Sequence, residues 1–156
     1  MKKIAAKTLA IVMSTLMGTS VLTPASAGGP SEIVVTTDKG QLKNPLSITP
    51  ELIEEGKTLY QAKTCGACHG ANGGGIHCPS LKNDAWIYGS DDDTLFRLIV
   101  LGSQELQKHG YARKGQEGVV GPMPPYKDLI DDEAKLWKAI VWIRSVWKGR
   151  EEKKVW

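Results

Sequence analysis

Two thiols separated by two residues and followed at once by an imidazole form the densest group of chemically capable side chains in the sequence: Cys65, Cys68 and His69, in the run Cys-Gly-Ala-Cys-His. At this spacing both sulfurs fall on one side of a single helical turn, where each can form a thioether bond to a haem vinyl group, and His69 then faces the iron. The same pair could serve zinc or thiol redox chemistry. Zinc would draw on Cys65, Cys68 and either His77 or Cys78, but those two are neighbours that point apart, and no second ligand pair follows downstream. A thioredoxin-like pair would follow a strand in a βαβ pattern, and none surrounds residue 65. Haem attachment is the reading these residues carry best.

A second iron ligand is to be found beyond residue 100. Of the 4 methionines, three lie among the first 17 positions, which leaves Met123 in the run Gly121-Pro-Met-Pro-Pro-Tyr126. A thioether held in a stiff proline-rich loop suits the distal side of a haem iron. Its alternative is a core filler, and His109 is a rival ligand, since imidazole also suits haem iron. On the proximal side the Pro79 carbonyl is placed to accept the second ring N–H of His69, which would fix the tautomer and raise ligand basicity, with Leu81 packing on the haem. Trp86 and Tyr88 each carry a polar handle that could reach a haem propionate. Cys78 is the odd cysteine: a free thiol, an intermolecular disulfide or a small buried hydrophobe. No general acid, base and nucleophile are grouped, so an enzyme is not expected.

Thioether attachment takes place outside the cytoplasmic membrane, and the start of the chain has the form of an export signal. Lys2 and Lys3 make a positive n-region, Leu9 to Leu22 is largely apolar, and Ala25-Ser-Ala27 is a small-residue cleavage site. Residues 1–27 are therefore read as a cleaved signal peptide; the apolar stretch is shorter than the roughly 20 residues a membrane span needs. The expected mature protein is periplasmic, without a membrane span. Lys2, Lys3 and Lys7 account for the whole formal net charge of +3. The remainder is balanced, which argues against nucleic acid as a partner.

The elements that must position the site follow from local signals. Residues 28–48, with Gly28, Gly29, Pro30, Pro45 and a β-prone run at Ile33 to Thr37, read as an extended N-terminal arm, and 49–148 as the haem domain. Thr49-Pro-Glu51 supplies an N-cap, a proline at the first helical position and an acid in the first turn, predicting a helix from Pro50 to about Lys63. Gly56 on its apolar stripe fits a close helix crossing. Gly70 to Gly75 is loop. Ser90 as N-cap with Asp93 three residues on predicts a helix from Asp91 to Leu101, ended by Gly102, with Leu95, Leu98 and Ile99 inward. The last helix runs from Asp131 to about Trp147, with Trp142 near its contact on the Gly56/Tyr60 stripe. Ser103 to Gly121 is an irregular insertion, with Lys108, Arg113 and Lys114 expected beside the haem edge and in contact with an electron donor. The tail 149–156 is a solvated end or a docking segment.

With these residues in hand, the chain resembles the class I c-type cytochromes from about Asn44 to Lys148: the 65–69 motif, Pro79-x-Leu81, Met123-Pro124, and the first and last helices with Gly56, Tyr60 and Trp142. The resemblance implies an all-α fold, three main helices with loops around one covalently bound haem c, and His69 and Met123 as axial iron ligands. Cys78 departs from it, standing where glycine is usual. A narrower resemblance, through Asn44-Pro-Leu46, Leu81-x-Asn83-Asp84-x-Trp86-x-Tyr88-Gly89, Leu95-Phe96 and Ala139-x-x-Trp142-Ile-Arg144, is to the cytochrome cL-like acceptors of quinoprotein (PQQ-dependent) alcohol and methanol dehydrogenases. It implies single-electron transfer from such a dehydrogenase towards a terminal oxidase or a second cytochrome. Two alternatives are a haem subunit of another periplasmic oxidoreductase complex, and a haem enzyme or sensor with an open iron position.

Overall fold

The computed structural model describes residues 29–117 and 121–156. The expected signal peptide with its cleavage point after Ala27, and residues 118–120 of the insertion, lie outside the described residues. Among the described residues regular structure is wholly helical: α1 (Pro30–Thr36), α2 (Pro50–Ala62), α3 (Cys65–His69), α4 (Asp92–Lys108) and α5 (Glu133–Val146), then a 3-10 turn at Glu151–Lys153. No helix there is long and apolar enough to cross a membrane.

The frame is the crossing of α2 and α5. Thr49 caps α2, its hydroxyl accepting from the Leu52 N–H at 3.3 Å, and Asp132 caps α5 by accepting from the Ala134 N–H. At the crossing a β-carbon on Gly56 would lie 2.0 Å from the Lys138 carbonyl oxygen and 2.9 Å from the Trp142 β-carbon. The two helices thus touch backbone to side-chain root, and only glycine permits it. One turn on, the Tyr60 and Trp142 rings pack with centroids 4.0 Å apart, and the Tyr60 hydroxyl donates to the Gly70 carbonyl at 2.7 Å. That bond ties the crossing to the end of the cysteine motif. Leu136, Trp137 and Ile140 of α5 and Phe96 of α4 complete a core with almost no exposure.

Four local expectations are corrected. The arm is not extended over Ile33 to Thr37: α1 occupies Pro30–Thr36, with proline at its first position and Glu32 in its first turn. The Arg97 guanidinium donates to the Val34 and Thr37 carbonyls at 2.7 and 2.6 Å, so a cation from α4 closes the end of this short helix. The cap of α4 is Asp91, not Ser90, its carboxylate accepting from the Thr94 N–H at 2.9 Å. Asp93 does not close a capping box; it is 1% exposed and accepts from Arg97 Nε, the Leu42 N–H and the Tyr111 hydroxyl. Burial alone would raise its pKa, but the hydrogen bonds outweigh burial and hold the carboxyl below its usual range.

The insertion is not irregular from its first residue. Gly102 has φ 70° and ψ 168° inside α4, so the helix kinks there and resumes through Ser103 to Lys108, burying Leu106 completely. The tail is tied down at several points, although Arg150 to Val155 stay exposed. Lys148 N–H donates to the Lys82 carbonyl at 2.8 Å, Arg150 pairs with Asp84 at 2.7 Å, and Trp156 packs edge-on to Trp86 and Trp147 with the Arg144 guanidinium 4.3 Å from its ring centre.

Candidate functional site

The thiols and imidazole of α3 are set by an unusual entry and a folded-back exit. Thr64 enters at φ 60°. After His69 the glycine-rich loop turns back, so that the Ile76, His77 and Cys78 N–H groups converge on the Cys68 carbonyl at 3.2 Å and the Gly75 N–H reaches the His69 carbonyl at 2.7 Å. This carries Pro79 under the imidazole, where its carbonyl oxygen lies 2.8 Å from His69 Nδ1. Nε2 is thereby left for a metal. Burial pushes the Cys65 thiol up to about 11; burial and a side-chain hydrogen bond with Cys68 do the same for Cys78.

Cys65, His69, Cys78, Pro79, Leu81, Trp86, Tyr88 and Met123 all border one cavity of about 1020 Å³ of atom-free space, part of it open to solvent. Its remaining wall is almost entirely apolar, with Leu95, Leu98 and Ile99 from α4, Ile130, and Ala139 and Ile143 from α5. Cys68 is not part of that lining. His109 also lies elsewhere, half-exposed at the end of α4 and 3.6 Å from Glu105, so the rival ligand is not brought to the site. His77 is exposed, and no three His, Cys, Asp or Glu side chains are grouped for a metal ion among the described residues.

The placement of Met123 depends on Gly102. In an unbroken helix the Ser103 N–H would bond to the Ile99 carbonyl. The kink parts them, and the proline loop takes both groups: Ser103 N–H donates to the Met123 carbonyl at 2.9 Å, and Tyr126 N–H donates to the Ile99 carbonyl at 2.9 Å. The Ser103 hydroxyl accepts from the Met123 N–H at 3.0 Å. A β-carbon at Gly102 would stand 2.7 Å from the Met123 oxygen and the Pro125 nitrogen. Gly102→Ala is therefore expected to push the loop away: the variant should keep its haem but lose the far-red ferric charge-transfer band of an iron–thioether bond. An unchanged band in that variant would show that the kink does not place Met123.

These features fit a haem c. The walls are apolar, His69 and Met123 line the same space, and the Trp86 indole N–H is buried without a partner, a donor suited to a propionate. The model of the cytochrome c family matches residues 53–147. The chain belongs to the cytochrome c family. Its cofactor is accordingly covalently bound haem c, one for a single domain. Among relatives of this cytochrome c, it is 27% identical over 100 residues to cytochrome c-551 of Stutzerimonas stutzeri, covering 61% of this chain and 82% of that one. It is 28% identical over 114 residues to the cbb3-type cytochrome c oxidase subunit CcoP of Azospirillum brasilense, covering 69% of this chain and 32% of the subunit. The chain thus spans about a third of the length of such oxidase subunits. The crystal structure of cytochrome cL from the marine methylotroph Methylophaga aminisulfidivorans superposes with a TM-score of 0.51, covering 80% of this chain and 72% of that one at 24% identity, a likeness of fold.

Sequence reasoning missed Ser103, Glu117 and Trp156 near the site. A serine directly after a helix-ending glycine was a usable signal for the first; nothing local marks the other two.

Proposed function

We propose that the chain is an exported monohaem cytochrome c in which Cys65 and Cys68 hold the haem by thioether bonds and His69 and Met123 are the axial ligands. We further propose that it takes single electrons from a quinoprotein (PQQ-dependent) alcohol or methanol dehydrogenase and passes them towards a terminal oxidase or a second cytochrome. The observation that carries the reading is the meeting of His69 and Met123 in one apolar cavity whose ligand-bearing segments are each fixed by backbone hydrogen bonds. When bound, haem c supplies a one-electron couple, raised by a methionine ligand relative to a second histidine. The chain does the rest. The Pro79 carbonyl holds the His69 tautomer, Ser103 and Ile99 hold the Met123 loop, and Leu81, Leu95 and Ile143 keep water from the cavity, which favours the less charged reduced state. The choice of donor rests on the resemblance of residues 44–46, 81–89, 95–96 and 139–144 to the dehydrogenase acceptors.

Arg113 lies 5.9 Å from the Tyr88 ring centre, and the Lys114 N–H bonds to the Ile87 carbonyl at 2.6 Å, so these cations border the cavity wall; Lys108 pairs with Glu105 at 2.8 Å. Because the first part of the insertion is helical and seats Ser103 and Leu106 in the interior, the donor contact is tested by charge rather than by shortening. Lys108→Glu with Lys114→Glu should slow reduction by a purified PQQ-dependent dehydrogenase about tenfold at low salt and leave the spectrum unchanged. Wild-type rates across a range of salt would remove this surface from the donor contact. The oxidase-subunit relatives favour a second reading, a haem subunit of a larger periplasmic complex; isolation in a stable complex with other subunits would support it over a diffusing carrier.

A further inference from the structure

The insertion returns to the cavity wall at a chemically specific point. The N–H groups of Lys114 and Gly115 both bond to the Ile87 carbonyl, at 2.6 and 3.1 Å. A β-carbon at Gly115 would stand 2.6 Å from the Trp86 carbonyl oxygen, so the strap lies flat on the backbone of the wall. Two residues on, the half-buried Glu117 carboxylate accepts from the Ser80 N–H at 3.2 Å with one oxygen and from the Asn83 side-chain amide at 2.8 Å with the other.

The Ser80 N–H belongs to the same peptide unit as the Pro79 carbonyl, and that carbonyl lies 2.8 Å from His69 Nδ1. A peptide is a resonant group: an anion bound at its N–H favours the form with negative charge on oxygen. The Pro79 oxygen becomes a better acceptor, and hydrogen bonds in such a chain strengthen one another. A stronger bond at Nδ1 makes the imidazole more basic at Nε2, and a more basic ligand favours ferric over ferrous iron.

We propose that Glu117 is a positioning residue that acts on His69 through the Pro79–Ser80 peptide and lowers the reduction potential. The proposal rests on the reading of His69 as an iron ligand. It also gives the insertion a second task besides any partner contact: to deliver one negative charge to the far side of the histidine's acceptor.

The test uses full-length holoprotein, comparing wild type, Glu117→Gln and Asn83→Ala by midpoint potential and by the proton resonance of His69 Nδ1–H in the diamagnetic ferrous form. Glu117→Gln removes the charge with little change in size, and it should raise the equilibrium constant for reduction about threefold, or roughly 28 mV at 59 mV per tenfold. The Nδ1–H resonance should move upfield as its bond weakens. Asn83→Ala leaves the carboxylate on the Ser80 N–H and should move neither quantity. The proposal is overturned if Glu117→Gln moves neither, if it moves the potential without the resonance, as a bare charge would, or if Asn83→Ala moves both equally. Failure of the ligand reading is separate: the wild-type His69 ring protons would then lack the large upfield shifts that a haem imposes on its axial histidine.

Discussion

Replacing Cys65 and Cys68 together by alanine is expected to abolish holoprotein. Cell extracts should lack the haem-stained band of the wild type, and each single variant should give a much reduced one. The physical ground is that the cavity borders Tyr60, Leu81, Leu95, Ile99 and Ile143 at once, so the haem links α2, α4, α5 and the loop after α3. Without it these walls either face water or collapse, each at a cost comparable to large core truncations of about 3–5 kcal/mol apiece. The polypeptide should then keep much of its far-ultraviolet circular dichroism, lose the near-ultraviolet signal and bind a hydrophobic dye, the marks of lost tertiary packing. A double variant that still held its haem through extraction in acidified acetone would show that these thiols are not the attachment points.

Gly56→Ala should be strongly destabilising for a change of one methyl group. Elsewhere in a helix the substitution gains about 1 kcal/mol. Here the added carbon meets the Lys138 carbonyl at 2.0 Å, and a backbone group cannot move aside as the end of a flexible side chain can. Overpacking of this kind costs about 3 kcal/mol, so the net loss is about 2 kcal/mol, and the reversible melting temperature of the holoprotein should fall by roughly 8 °C. A melting temperature equal to the wild type would mean that α2 and α5 are not in close contact there. The spectrum should be unaffected, which separates this change from Gly102→Ala.

The contrast between these two glycines shows what a sequence can and cannot disclose. Gly56 stands on the apolar stripe of a helix with an evident cap, so its cost could only be met by a close crossing, and the crossing with Trp142 was legible. Gly102 was legible as the end of a helix, but not as the point where the helix resumes, because the release of the Ile99 carbonyl and Ser103 N–H depends on a loop that returns with Met123 and Tyr126. Ser90 with Asp93 three residues on has the form of a capping box, whereas Asp91 is the cap. That shift depends on distant partners, Leu42, Arg97 and Tyr111 around Asp93 and Arg144 on Asp92. For α1, the β-prone run at Ile33 to Thr37 pointed to an extended arm, while the Arg97 guanidinium that closes the helix lies about sixty residues on. The residues proposed as ligands could be named from the sequence because their chemistry is local: a five-residue motif, and one methionine between prolines. Glu117 was not, since its partner is a peptide N–H thirty-seven residues earlier.

Carbon monoxide binding to the reduced protein tests most directly the claim that the iron is held closed between His69 and Met123 as a carrier of electrons. Dithionite-reduced wild type, titrated with carbon monoxide at neutral pH, should show no change in its Soret and visible bands. Met123→Ala should bind one equivalent. Stoichiometric binding by the wild type would contradict the account, because it would leave an iron position open to ligands and make gas binding or peroxide chemistry the better reading of this cavity.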